Sequence, residues 1–163
     1  MQPLFRTTAL VSLLLCGALF GFFYAWVCST MWGLDAAAPE VAIRAMQAMN
    51  ASVRNAVFAP VFFGTGPALL LAALLAWKSG QRIAVTGLLV AAGMTALLGG
   101  SVLTMAVNVP MNEALATVAI PENVEAAETI WQDYSPRWQF WNQLRTIASG
   151  IALIFSGIGL SKI

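Results

Sequence analysis

Four apolar runs, at about 9–28, 56–77, 83–107 and 136–160, constrain this chain more than any other feature. Each is at or above the roughly 20 residues that a helix needs to cross a hydrocarbon layer about 30 Å thick. Backbone in that layer must satisfy its own hydrogen bonds, and continuous apolar runs of this length do so as helices. The fold class expected is therefore all-α: a four-helix transmembrane bundle in a single membrane domain, 1–163, with outer segments at 31–55 and 108–135. Composition agrees, because 60% hydrophobic and 9% charged residues cannot clothe a water-facing surface. The first run competes with a cleaved signal peptide, but it is long for that role and lacks a small-x-small cleavage site. Leu15 before Cys16 is too large for a lipidation box.

Smaller signals shape the spans. Gly17 and Gly21 form a GxxxG pair that permits close helix approach. Pro60 and the Gly64-Thr65-Gly66-Pro67 interruption are expected to kink the second span. The short Lys78-Ser79-Gly80-Gln81-Arg82 loop forces the third span to return antiparallel to the second. Pro39 and Glu40 suit the first turn of a helix, so an additional amphipathic helix is expected on the extracytoplasmic side. Val41, Met46, Met49 and Val53 mark its apolar side. A short helix over 122–131 should precede a fresh start at Pro136.

Charge orients the bundle. Arg6, Lys78, Arg82 and Lys162 fall on one side with no acidic residue among them; all seven carboxylates and the other four arginines fall on the opposite side or at its rim. The positive-inside rule then puts both termini and the 78–82 loop in the cytoplasm, in a cytoplasmic membrane. A net charge of +1 gives no basic stripe for a nucleic acid. The absence of histidine removes imidazole-bound metals, histidine-ligated haem and the serine–histidine triad together. Cys16 and Cys28, about 18 Å apart along one helix, are read as free thiols. No metal and no cofactor is expected.

Counting about 20 residues from each basic anchor locates the outer boundary near Cys28, Phe58, Leu103 and Asn142. Tyr24, Cys28, Ser29, Asn55, Asn108, Asn112, Glu113, Asn142 and Arg145 then converge at one level. Trp138, Trp141, Asn142 and Arg145, spaced i, i+3, i+4 and i+7, share a helix face. A charge at the depth of Arg145 is costly unless paired, with Glu113 the first candidate partner and Asp35 the second. Trp26, Trp32, Trp131, Trp138 and Trp141 also fit an interfacial aromatic belt, and Asn108, Pro110 and Asn112 a plain helix end.

Three segments together carry a resemblance: Met46-Gln47-Ala48-Met49-Asn50, Asn108-Val109-Pro110-Met111-Asn112, and Trp131 through Trp138 and Trp141-Asn142 to Arg145-Thr146. The pattern resembles the anthrone oxygenase-like family of small four-helix integral membrane proteins. The resemblance implies a four-span bundle with an elaborated outer face. It also implies a cofactor-independent oxygenase acting on a lipophilic anthrone- or hydroquinone-like aromatic. In that reading Glu113 or Asp35 is the base. Arg145, Asn142, Asn108 and Asn112 hold the enolate oxygen, Trp138, Trp141 and Tyr24 stack on the rings, and Asn50 joins the substrate set. The alternative is a non-catalytic membrane module that binds a small lipophile or quinone, or supports a partner protein. Transport fits poorly, because the span centres are charge-poor and no inverted repeat is evident. Membrane lipid and the lipophilic aromatic are the expected partners; self-association is compatible with the chain.

Overall fold

The computed structural model describes residues 2–163 and contains five helices: α1 Gln2–Asp35, α2 Pro39–Ser52, α3 Phe58–Lys78, α4 Ile83–Ala116 and α5 Val124–Leu160. Four of these, α1, α3, α4 and α5, are long and apolar enough to span a membrane, and the protein is an integral membrane protein. They form a ring in which α1 packs on α3, α3 on α4, α4 on α5 and α5 back on α1. Gln81 Nε2 donates to Gln2 Oε1 at 3.2 Å, which ties the N-terminus to the 78–82 loop at the basic end. That loop turns at Gly80, whose φ of +71° is open to glycine, and Gln81 N–H reaches back to the Ala76 carbonyl at 3.0 Å.

Three helices far exceed the apolar runs that announced them. With 34, 34 and 37 residues, α1, α4 and α5 are about 50, 50 and 55 Å long, well beyond a hydrocarbon layer of about 30 Å. The excess projects from the end remote from the basic loop and forms a second lobe. The short helix expected over 122–131 is instead the first two turns of α5, which Asn123 starts by accepting from the Ala126 N–H at 2.8 Å. Pro136 lies inside that helix. Its missing N–H frees only the carbonyl of Gln132, an exposed residue whose oxygen water can satisfy.

The two halves of the bundle are packed differently. Toward the basic end the core is made of small residues, Ala9, Ala72, Ala73, Ala76, Ala92 and Ala152, with Phe5, Leu69, Val85 and Leu89 between them. Helices approach closely there, and a Cβ at Gly93 or Gly99 would collide with Leu70 or Ala148. Gly17 and Gly21 meet no other helix, so their GxxxG spacing joins nothing within the chain. The outer lobe has a large-residue core of Trp26, Met31, Ile43, Met46, Leu115, Trp131, Tyr134 and Trp138.

The helix expected from Pro39 forms, but it rotates relative to the expected face. Ala42, Ile43, Met46 and Asn50 are its buried residues, whereas Val41 is 52% exposed. Packing against α5 and the end of α4 selects that face. Gln47 Nε2 donates to the carbonyls of Leu115 at 2.9 Å and Val118 at 3.0 Å, supplying partners that the end of α4 lacks.

Three π-helical segments interrupt the regular winding, at Trp26–Thr30 in α1 and at Ala96–Val102 and Thr104–Asn108 in α4. Each widened turn shifts the azimuth of everything beyond it, and such turns gather at functional sites. Trp26 of the first segment and Thr104 and Met105 of the third line one cavity.

Candidate functional site

Where the lobe meets the bundle, a cavity of about 530 Å³ lies between α1, the end of α2, the start of α3, the π-helical part of α4 and the middle of α5. That volume suits one drug-sized ligand. Its walls are aromatic and apolar, chiefly Phe22, Phe23, Trp26, Phe58, Phe62 and Trp138. The rings are interlocked: Phe22 and Phe58 are 4.5 Å apart, Trp26 and Trp138 5.0 Å, Phe58 and Phe62 5.5 Å between centroids.

Arg145 forms the floor. It is 5% exposed, and among the described residues no carboxylate pairs with it. Its Nε donates to Asn142 Oδ1 at 2.9 Å and its Nη1 to Thr104 Oγ1 at 3.3 Å, while Nη2 has no partner among the described residues. The guanidinium is sandwiched between the rings of Phe23 and Trp138, 4.5 and 4.9 Å from their centroids. Two aromatic faces and an amide oxygen thus stabilise a charge that lacks a counter-ion. Asn142 is itself fixed, donating to the Phe23 carbonyl at 3.3 Å. The expected partnership with Glu113 or Asp35 does not form. Glu113 instead pairs with Arg54 at 3.2 Å on the rim, both side chains more than half exposed. Asp35 accepts from Trp131 Nε1 at 3.0 Å, Ser135 Oγ at 2.7 Å and Gln139 Nε2 at 2.8 Å, holding the end of α1 against α5. It borders a different cavity, so geometry removes it as a base for the chamber.

Asn112 stands opposite the floor. Its Oδ1 accepts from Tyr134 Oη and Trp138 Nε1, each at 2.8 Å, which sets the amide orientation and leaves its Nδ2 without a protein partner among the described residues. Asn50, only 9% exposed, lies beside the Tyr134 hydroxyl, and its Nδ2 makes no well-aligned hydrogen bond among the described residues. Both residues line the cavity with Arg145. The chamber therefore presents guanidinium and amide N–H donors inside aromatic walls, an arrangement that favours an electron-rich oxygen.

Of the residues singled out from sequence, Arg145, Asn112, Glu113, Trp138 and Asn50 line this cavity together. Asn142 supports from behind. Asn108 is fully buried and donates to the Trp138 carbonyl at 3.4 Å, outside the lining. Tyr24, 49% exposed, stacks on Phe20, and Trp141 packs edge-on against Phe140; neither reaches the chamber. Cys28 and Ser29 face outward. The belt reading fails for Trp26, Trp131 and Trp138, which are buried, while Trp32 is 67% exposed. Thr104, Phe23 and Phe62 were not anticipated. The spacing of Ser101, Thr104, Asn108 and Asn112 carried a signal for the first, a polar stripe at helical intervals along an apolar span.

Four spanning helices, an outer lobe and a buried guanidinium without a carboxylate partner among the described residues, set in an aromatic chamber, define a small integral membrane protein with one built cavity at its outer end. The family model for anthrone oxygenase matches residues 54–155, and the chain belongs to that family. The matched segment covers α3, α4 and most of α5, including Thr104, Asn112, Glu113, Trp138 and Arg145. No curated protein and no solved structure matches the chain. The protein is thus an oxygenase-like membrane protein by family.

Proposed function

We propose that the protein oxidises a lipophilic phenolic or anthrone-like aromatic with dioxygen, in the outer chamber, using electrons drawn from the substrate itself. One observation carries the reading: Arg145 lies without a counter-charge at the floor of an aromatic cavity. An intramembrane guanidinium is costly, and it is retained where a ligand supplies the missing negative charge.

The chemistry follows from that placement. An anthrone bound with its carbonyl oxygen toward Arg145 becomes more acidic at its methylene carbon, on the far side of the central ring. Loss of that proton gives an enolate whose oxygen is stabilised by Arg145 and by the amide of Asn112. Glu113, on the rim and open to water, takes the proton. The enolate carbon then combines with dioxygen, forming one C–O bond and leaving a peroxide. Cleavage of the O–O bond with loss of the second methylene hydrogen releases water and leaves a quinone carbonyl. One dioxygen is consumed, one oxygen atom enters the product and one leaves as water. Phe23, Trp26 and Trp138 hold the ring plane and exclude bulk water from the reacting carbon. The termini and the 78–82 loop are assigned to the cytoplasm by the basic residues there, so the chamber opens at the extracytoplasmic interface.

The test is oxygen uptake by protein in lipid nanodiscs supplied with an anthrone. Wild-type protein should consume dioxygen and yield quinone in equal amounts, with Glu113→Gln and Arg145→Met each slowing the reaction by at least tenfold, the scale of one lost charge-assisted contact. Unchanged turnover in both variants would sink the assignment.

A further inference from the structure

The chamber has two edges of opposite character. On its aqueous side the Arg54–Glu113 ion pair crosses the rim. On the other side α3 and α4, closely packed from Ile83 to Val102, separate beyond it. The lips of that gap are Ala59 and Phe63 on α3 and Met105 and Val109 on α4. Phe63 and Met105 are 58% and 49% exposed, yet both also line the chamber. They are at once lipid-facing surface and chamber wall. Phe63 lies five residues into α3, about 7 Å below its start, so the gap opens at the depth of the upper acyl chains.

We propose that this gap between α3 and α4 is a lateral mouth, and that the ligand is a membrane-dissolved phenol or hydroquinone with a hydrocarbon tail. Its oxygenated ring enters toward Arg145 while the tail stays in the mouth and the bilayer. The inference rests on the oxygenase reading for the identity of the ring and adds the tail. An ion pair is a poor neighbour for an alkyl chain, whereas Phe63, Met105, Val109 and Ala59 offer no polar group to it. The tail need not leave a hydrocarbon environment when the ring binds, so it costs nothing to carry. A compact, water-borne substrate would have no use for an apolar opening at this depth.

The experiment measures binding rather than turnover. Protein in nanodiscs is titrated calorimetrically, against empty nanodiscs, with a decyl-substituted benzoquinone and with the same ring bearing a methyl group instead. Affinities are referred to the quinone concentration in the lipid. The wild type should bind the two rings with similar lipid-referred affinity, within about threefold, because the tail remains in hydrocarbon in both states. Met105→Trp, which fills the mouth, should weaken the decyl compound about tenfold more than the methyl one, a differential of about 1.4 kcal/mol. Ala59→Trp on the facing lip should do the same, and gives the answer if the first variant melts. Equal losses for both quinones, or a wild type that binds the methyl compound and excludes the decyl one, would overturn the mouth. Failure of every anthrone to support oxygen uptake would remove the oxygenase reading and leave this difference in affinities standing.

Discussion

Arg145→Met separates a functional arginine from a structural strut, and the geometry fixes how large each effect should be. Breaking a buried ion pair typically costs 3–5 kcal/mol, because the abandoned partner is left charged in a poor solvent. No carboxylate pairs with Arg145, so its removal abandons none. The losses are smaller: Asn142 Oδ1 gives up its donor, about 1–3 kcal/mol, and the sandwich between Phe23 and Trp138 gives up about 2 kcal/mol. Thr104 keeps its bond to the Gly100 carbonyl. Against this, a charge no longer has to be held within the membrane, worth about 2.5–3.5 kcal/mol on insertion scales. The terms nearly cancel, and the variant should unfold within roughly 2 kcal/mol of wild type, as measured by denaturation in mixed micelles. A phenolate or enolate analogue, by contrast, should lose one to two charge-assisted contacts of about 1.5–3 kcal/mol each, a fall in affinity of at least tenfold. The measurement pairs a micelle unfolding curve with a ligand titration on the same preparation. A variant that unfolds far more easily yet binds the analogue normally would refute the reasoning.

Three further expectations test other parts of the framework. Asn112→Ala strands both Tyr134 Oη and Trp138 Nε1, so it should destabilise the outer lobe by about 2–4 kcal/mol in the same unfolding assay and weaken ligand binding as well. Asp35→Ala removes the acceptor of the buried Trp131 indole and should cost about 1–3 kcal/mol while leaving oxygen uptake near wild type, because Asp35 borders a separate cavity. Gly99→Val drives a side chain into Ala148 and should lower stability by about 1–3 kcal/mol, read as a drop in the thermal transition of the detergent-solubilised protein.

The four spans were legible because hydropathy depends only on which residues are apolar, and Ile83 to Val107 or Ala9 to Cys28 are apolar in any winding. The outer lobe was legible only in pieces. Hydropathy stops where the lipid stops, whereas α1 and α5 continue as helices into the lobe, where Trp131, Tyr134 and Met31 bury one another. Helical rise put Asn112, Glu113 and Arg145 near one level, and all three line the cavity. Their azimuth was not legible. Two π-helical segments lie between the base of α4 and Glu113, and each rotates the residues beyond it. Glu113 consequently points to the rim and meets Arg54, and the donor that was expected to be neutralised at Arg145 is left facing the cavity. An apolar sequence carries no mark of a widened turn, because Ala96 to Val102 reads equally well in either winding. Tyr24 and Trp141 failed for a related reason: aromatic type and depth were right, but position around the helix sends them elsewhere.

The π-helical turns also bear on how such a chamber arises and how it is lost. A widened turn accommodates one extra residue without breaking the helix, so it is the structural footprint of a single-codon insertion. Deleting one residue between Thr104 and Asn108 would let α4 relax toward regular winding and turn the segment beyond it by about 100°. Asn112 would swing away from Tyr134 and Trp138, and Glu113 away from Arg54, although hydropathy and span count would stay almost the same. Along a lineage, the difference between a plain four-helix bundle and one with such a chamber is then a matter of reading-frame-preserving indels in α4, to which substitution-based measures of divergence are nearly blind.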